Sequence, residues 1–452
     1  MRRRFFLHLG SALALVAAGG CASVDPRADY EEARREIRAA TGEAEVHDPG
    51  EPALSSEEIG GVLADGLGLA EATRLALLNN RRLQAGFRSL GVARADYVQA
   101  GLLENPSLSL AFLFPEGGGR ARWTADLVGS VAEIWRIPAR RALARAGLEQ
   151  RILELSRFAG ELVAGTRAAY LEGVAAREAR SLAREDVELA RRSLAGVRRQ
   201  VEEGVASRTD EGLAESLALA AELASQRAER EEAASLRRLA ALLSLEEDLL
   251  GVRLSDPLPD PAWRGPEREQ LVEESVSARA DVRAAERAVA AAEERVSLER
   301  RRKFGLGAGA SAERPEGGSS ADLLVGPAAT VELPIFDRNQ AQVSRAELEL
   351  AERRKEREAL VAEVRQEVRA ALDRAEVASR AAVFARDELV PQALRTAALA
   401  ERAYELGDTT VLTLLEARKA ALEARRTELE ALLEAALSRI DLERAAGAPL
   451  GD

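Results

Sequence analysis

The sequence is poor in the side chains that most metal and redox sites use. Its 452 residues include two His, one Met and one Cys, and aromatic residues make up only 4%. Zinc sites need several Cys or His ligands, and disulfides need pairs of Cys, so this inventory nearly excludes both. No nucleophile–base pair or cofactor loop supports an enzyme. We therefore expect no catalytic residue, no metal site and no cofactor.

The chain also has fewer basic than acidic residues. Asp and Glu number 76 against 64 Lys and Arg, which gives a net charge of −12, so no nucleic-acid partner is expected. Ala, Leu, Glu and Arg dominate the composition, and charged residues reach 31%. This mixture is typical of long helices that pack against one another.

Long apolar runs are missing except at the N-terminus. Three arginines at 2–4 precede a largely apolar run over 5–18, which is short for a membrane span. The run ends in Ala18-Gly19-Gly20-Cys21, and Cys21 is the one cysteine of the chain. We predict a signal peptide over 1–20 and lipid attachment (palmitate) at Cys21, followed by a polar, lipidated peripheral segment over 21–66. The alternative is an ordinary signal peptide, with Cys21 incidental.

Two long helical hairpins organise the rest of the chain. The first is predicted over 139–245 and the second over 338–445, and each turns at a glycine, Gly204 or Gly407. Two strand-like segments precede each hairpin, at 107–114 and 123–135 in the first case and at 304–311 and 322–333 in the second. The repeat, offset by about 200 residues, predicts two similar halves, 67–255 and 266–447. A linker (256–265) joins them and a short tail (448–452) follows.

The strand-like segments have the pattern of membrane strands. In 107–114, Leu108, Leu110, Phe112 and Phe114 alternate with mostly small residues, as in a lipid-facing strand, although a soluble hairpin packed on a helix gives the same alternation. An open sheet edge cannot lie in lipid, and roughly eight strands are needed to close the smallest barrels. Strands in a membrane would therefore come from several chains. The first helix of each hairpin, at 1.5 Å per residue, would extend roughly 95 Å away.

Several short motifs, each weak alone, occur in order and twice. They include Asn105-Pro106-Ser107-Leu108, the segment 333–338 and Tyr404-Glu405-Leu406-Gly407. Over about 67–447 the chain resembles the TolC-type outer membrane factors, the outer membrane efflux protein family. Residues 334–340 resemble the heavy-metal (Czc-like) branch in particular.

The resemblance implies a mainly α fold with membrane β-structure. Family members are homotrimers in which a twelve-stranded β-barrel continues into a periplasmic α-barrel of twelve helices. They serve as the outer membrane exit duct of a tripartite efflux system. The partners implied are a periplasmic adaptor (membrane fusion protein), an inner-membrane pump of the RND type and outer-membrane lipid, and the cargo is small molecules or metal ions.

The resemblance also assigns residues at the two hairpin turns. The periplasmic aperture falls on Thr209, Asp210, Tyr404, Thr409, Thr413 and Glu416, and the adaptor-docking tips fall on Gly204, Val205, Ser207, Gly407, Asp408 and Thr410. Thr409 and Thr413 stand where the best-known pattern has an arginine and an aspartate. A salt-bridged lock is therefore not expected, and we predict that packing and the Asp210 and Glu416 rings close the channel and favour cations.

Each of these assignments has a structural alternative. Asp210 is equally consistent with a first-turn carboxylate that compensates the helix dipole, Glu416 with a solvated helix face, and Tyr404 with a core position. For the whole chain, the rival prediction is a periplasmic coiled-coil adaptor or scaffold lipoprotein without a pore. Adaptors carry one hairpin flanked by small β-domains, whereas strands precede each of two hairpins here.

Overall fold

The computed structural model describes residues 23–52, 54–114, 116–117, 121–246, 249–263, 265–302, 305–314 and 323–450. The predicted signal peptide and Cys21 lie outside these residues. Helices dominate the described chain, and the elements are α1 (Arg27–Thr41), α2 (Ser56–Ala64), α3 (Leu69–Asn79), α4 (Arg81–Ala100), β1 (Ser107–Leu113), β2 (Arg122–Ser130), α5 (Glu133–Glu202), α6 (Arg208–Leu242), α7 (Arg268–Ala278), α8 (Ala280–Arg301), β3 (Gly305–Arg314), β4 (Leu324–Glu332), α9 (Gln340–Phe384), a π-helical turn (Ala385–Leu389), α10 (Val390–Glu405) and α11 (Val411–Ala446).

The segment predicted as a polar wrap contains two helices, α1 and α2. Helix α1 buries Ala33 and Ile37 completely, four residues apart on one face. Helix α2 begins with a capping box in which Ser55 and Glu58 exchange hydrogen bonds. The sequence predicted a polar peripheral segment here and neither of these two helices.

The four strands form one antiparallel sheet in the order β1-β2-β3-β4. Strand β2 ends at Ser130, five residues before the predicted end at 135. The backbone amides of Val131 and Ala132 both donate to the carbonyl of Leu306, and helix α5 begins at Glu133. Trp135 therefore lies in the first turn of a helix, and the prediction that it ends a strand was wrong.

The helical hairpins follow the predicted positions with two differences. Helix α5 begins six residues before 139, and the first helix of the second hairpin is interrupted by the π-helical turn at Ala385–Leu389. Pro391 is the second residue after this turn. A proline has no amide hydrogen and its ring crowds the carbonyl four residues back, so the helix there adopts a wider turn.

The chain divides into two compact units, each with segments from both halves of the sequence. One unit comprises the described residues of 1–31, 88–152 and 284–357 and contains the sheet. The other comprises the described residues of 32–87, 153–283 and 358–452 and contains both hairpin turns. In the second unit, Leu271, Val272, Val368, Leu372 and Leu442 belong to one buried cluster. Within the described ranges, no helix is long and apolar enough to span a membrane.

Candidate functional site

The sheet has one face that is almost entirely apolar. Residues paired across antiparallel strands lie on the same face, and successive residues alternate between faces. The register pairs Leu108 with Leu127 and Phe112 with Trp123, and it continues the same face across β3 and β4. Apart from Arg314, this face carries only apolar side chains and one glycine: Leu108, Leu110, Phe112, Trp123, Ala125, Leu127, Gly129, Leu306, Ala308, Ala310, Ala312, Val325, Pro327, Ala329 and Val331.

The other face carries the polar groups of the strands. The Ser311 hydroxyl donates to a carboxylate oxygen of Asp126 at 2.6 Å, and Arg122 pairs with Glu313 at 2.6 Å. Both contacts join β2 to β3. The strands thus form a sheet with one apolar and one polar face.

Close strand packing on the polar face depends on one glycine. At Gly309, a Cβ atom would overlap the carbonyl oxygen of Leu127 on the neighbouring strand, whereas a Cβ at Gly326 would meet no atom within 4 Å. The β2–β3 pairing at this point therefore excludes any side chain at 309.

The two hairpin turns have the predicted glycine geometry. Gly204 and Gly407 have φ angles of +72° and +77°, in the left-handed region that favours glycine. Their amides donate to the carbonyls of Val201 at 3.1 Å and of Tyr404 at 3.0 Å. Each glycine ends its helix in this way, as expected for a helix C-terminus, and the prediction of a structural role is confirmed.

Asp210 forms a capping box with Ser207 at the start of α6. The Ser207 amide and hydroxyl donate to one Asp210 carboxylate oxygen, at 2.9 and 2.7 Å, and the Asp210 amide donates back to the hydroxyl at 3.2 Å. The two hydrogen bonds from Ser207 lower the pKa of Asp210 below its ordinary value. The first-turn alternative for Asp210 is thus realised, and Thr209 is exposed beside it.

The second turn uses threonines for the same purpose. The Thr410 hydroxyl accepts a hydrogen bond from the Thr413 amide at 3.3 Å and lies 3.1 Å from the Thr413 hydroxyl. Thr409 is half-buried between this cap and Gly407. Thr413 therefore has a partner within the N-terminal cap of α11.

A side-chain hydrogen bond joins the two hairpins near their turns. Gln200, on α5, donates from its amide nitrogen to the Tyr404 hydroxyl on α10 at 2.6 Å. Tyr404 is half-buried, so it serves both packing and this hydrogen bond. Gln200 was not predicted from the sequence: it lies four residues before Gly204, one residue away from the position that matches Tyr404, which is three residues before Gly407.

Glu416 lies in different surroundings from Asp210. It is exposed and lines an apolar cavity of about 410 Å³ between α5, α6 and α11, with Leu189, Leu217 and Leu415 among the lining residues. Asp210 belongs to the cap at the turn itself. The predicted aperture residues are therefore divided between the hairpin turns and this cavity.

Comparison with known proteins finds a family-model match over part of the chain. The model of the outer membrane efflux protein family matches residues 271–448. No curated protein matches the chain.

Solved structures share the fold at low sequence identity. A membrane protein from Pseudomonas aeruginosa is 19% identical, with a TM-score of 0.73 over 88% of this chain and 95% of that one. The open state of the MtrE outer membrane channel of Neisseria gonorrhoeae is 21% identical, with a TM-score of 0.71 over 84% and 89%. The CmeC outer membrane channel of Campylobacter jejuni is 16% identical, with a TM-score of 0.72 over 95% and 92%. The resemblance to the TolC-type outer membrane efflux proteins is confirmed.

Proposed function

We propose that three copies of this chain form the outer membrane exit duct of a tripartite efflux system. The observation that carries this proposal is the sheet with one apolar and one polar face. Such a sheet matches the wall of a membrane channel, in which the apolar face meets lipid and the polar face meets water. The polar groups of Asp126, Ser311 and Glu313 would then line the lumen.

The strand order supports closure between copies. Neighbouring strands in the sheet are antiparallel, so β4 runs antiparallel to β1. In the proposed barrel, β4 of one copy therefore pairs with β1 of the next, and the whole barrel stays antiparallel. This pairing satisfies the edge amides and carbonyls that lipid cannot. Three sheets of four strands provide twelve strands, above the roughly eight that close the smallest barrels.

Exposed apolar side chains on the second hairpin favour packing between copies. Val377 and Phe384 on α9 and Leu394 and Leu399 on α10 are all exposed in the single chain. Val377 and Phe384 are seven residues apart and therefore lie on one face of α9, and apolar side chains at this spacing are typical of a face that another helix covers. We assign these faces to the helical tube that continues the barrel.

The hairpin turns then face the partners of the duct. We propose that the tips (Gly204, Val205, Ser207, Gly407, Asp408 and Thr410) dock a periplasmic adaptor, and that an RND-type inner-membrane pump delivers small molecules or metal ions. Thr209, Asp210, Tyr404, Thr409, Thr413 and Glu416 would surround the aperture. A lipid at Cys21 would add an anchor in the outer membrane.

Planar-bilayer conductance of the purified full chain tests the proposal. A passive duct without enzymatic activity predicts stepwise currents of uniform size that need no energy source. A protein that never inserts and remains a soluble oligomer would contradict the proposal, and would favour the periplasmic adaptor or scaffold.

A further inference from the structure

Six exposed apolar side chains lie at the end of the sheet where the strands join the helices. Strand β1 begins, β2 ends and β4 ends at this side of the sheet, as the pairings Ser107–Val128 and Gly305–Glu332 show. The six residues flank these strand ends and define a collar: Leu103, Ile134, Trp135, Leu333, Ile335 and Phe336. Phe336 is 92% exposed and Trp135 is 60% exposed.

The collar continues the apolar face of the sheet. In β4, the odd-numbered residues from Val325 to Val331 lie on the apolar face, and Leu333 follows the same alternation one residue beyond the strand. Tryptophan and other aromatic side chains are enriched where a membrane protein meets the headgroups. If the apolar face meets lipid, the collar therefore lies at one boundary of the bilayer.

Arginine is concentrated beside the collar although the whole chain is acidic. The segments 101–106, 131–141, 299–302 and 333–341 contain seven Arg against four Asp or Glu, whereas the net charge of the protein is −12. Arg140 donates to the Leu102 carbonyl at 2.9 Å, and Arg301 donates to the Trp135 carbonyl at 3.5 Å. The first contact places a guanidinium group next to the collar, and the second places one against the backbone of the collar residue Trp135.

Two of these arginines are available to an anion. Arg301 and Arg338 are both exposed, and within the described ranges neither forms an ion pair with a carboxylate. Guanidinium groups bind phosphate oxygens in bidentate geometry, and arginine near a membrane surface is attracted by anionic lipid. A water-facing collar would explain neither the exposed aromatic rings nor the excess of arginine.

We propose that the collar is a binding surface for anionic phospholipid in the leaflet that faces the helices. Trp135 and Phe336 insert at the boundary between headgroups and acyl chains, and Arg301 and Arg338 bind lipid phosphates. This inference rests on the proposed function, because it needs the apolar face of the sheet to lie in the bilayer.

The three tryptophans of the chain provide the test. Single-tryptophan variants of the full chain are made with phenylalanine at the other two positions. Trp135 then reports the collar, Trp123 reports the apolar face of the sheet, and Trp263, packed on the buried cluster of the second unit, serves as the control. Each variant is inserted into vesicles that contain phosphatidylcholine or phosphatidylglycerol with brominated acyl chains, which quench tryptophan on contact.

We expect both lipids to quench Trp123 and Trp135 and neither to quench Trp263. At Trp135, the association of phosphatidylglycerol relative to phosphatidylcholine should be higher by about fivefold for each arginine that contacts the headgroup. Arg301→Gln/Arg338→Gln should bring this ratio close to that at Trp123. The matched control is Arg227→Gln/Arg230→Gln on α6, where two exposed arginines also lack an ion pair within the described ranges, and it should change nothing.

The outcomes separate this inference from the proposed function. Quenching of Trp123 without Trp135 would overturn the collar and keep the channel, since a neighbouring copy or water would then cover Trp135. Equal association of the two lipids at Trp135, or a ratio unchanged by Arg301→Gln/Arg338→Gln, would overturn the anionic-lipid site. Quenching of Trp135 alone would overturn the inserted sheet, and the collar with it, because the collar needs the apolar face of the sheet to lie in the bilayer. Quenching of neither tryptophan would also overturn both.

Discussion

The carboxylate of Asp210 shows how one residue serves a helix and a proposed aperture together. Its hydrogen bonds to Ser207 fix its position at the turn and keep it ionised, because they lower its pKa. In the proposed trimer, a carboxylate held in this way would repel its counterparts in the other copies. Asp210 can therefore cap α6 and also belong to the proposed aperture, because the cap fixes the position of its charge.

Acid should weaken this cap. The folded-state pKa of Asp210 is below the unfolded value of roughly 3.9, so the cap contributes stability above that pH and loses it as the pH falls through the folded pKa. Ser207→Ala should destabilise the start of α6 by about 1 kcal/mol at neutral pH. Hydrogen exchange of the amides at 208–212 measures the effect, and Ser55→Ala, which removes the matching cap of α2, should leave these amides unchanged. At acid pH, Asp210→Asn and wild type should exchange these amides at similar rates. If their exchange rates differed as much in acid as at neutral pH, this explanation of the cap would be wrong.

The aperture assignment predicts a change in ion selectivity. With a salt gradient across a planar bilayer, the wild type should prefer cations, and Asp210→Asn/Glu416→Gln should reduce that preference, because the carboxylate rings are neutralised. Glu58→Gln removes a charge from the cap of α2 and should have no effect. Selectivity that stays the same in the double variant would keep the channel and refute these two residues as its charged rings.

At the scale of elements, the β2–β3 pair depends on the missing side chain at 309. A Cβ there overlaps the Leu127 carbonyl, so Gly309→Ala should separate the two strands. Overpacking typically costs roughly 1–3 kcal/mol of folding free energy, and we expect a cost near or above the upper end of that range here. We expect Gly309→Ala to reduce insertion into vesicles several-fold and Gly326→Ala, on the same face with free space, to insert as wild type does. Normal insertion and conductance of Gly309→Ala would show that the register is different.

The sequence predicted the elements whose cause is local. Gly204 and Gly407 each follow a long helical pattern, and only glycine adopts the left-handed turn there without strain, so both turns were predictable. Alternation in Leu108, Leu110 and Phe112 likewise indicated β1 and its apolar face. These signals lie within a few residues and need no knowledge of the rest of the fold.

The errors arose where distant contacts decide the structure. Helix α1 buries Ala33 and Ile37 completely, and its Glu36 pairs with Arg283, a distant partner that the charged sequence of the helix does not reveal. Strand β2 stops at Ser130 because the next two amides bind the carbonyl of Leu306, a partner in the other half of the chain. The contact between Gln200 and Tyr404 also joins the two halves, so neither residue alone indicated it.

At the scale of the whole molecule, one sheet cannot enclose a channel by itself. Among the residues that the structure describes, β1 and β4 each pair with another strand along one edge only. Closure by identical copies requires β4 of one copy to pair with β1 of the next. Ser109 of β1 and Ala328 of β4 both lie on the polar face, whereas Leu110 lies on the apolar face.

Cross-linking between these edges tests whether three copies of the sheet close into a channel. In a variant with Cys21→Ser, cysteines are placed at position 109 together with position 326, 328 or 330, which scans the unknown register along one face. The account predicts a disulfide ladder in membranes that ends at three copies for at least one of these pairs. The control pair at 110 and 328, on opposite faces, should give no ladder. Absence of cross-links from every same-face pair in conducting membranes, or a ladder that continues beyond three copies, would contradict a channel closed by three copies of this sheet.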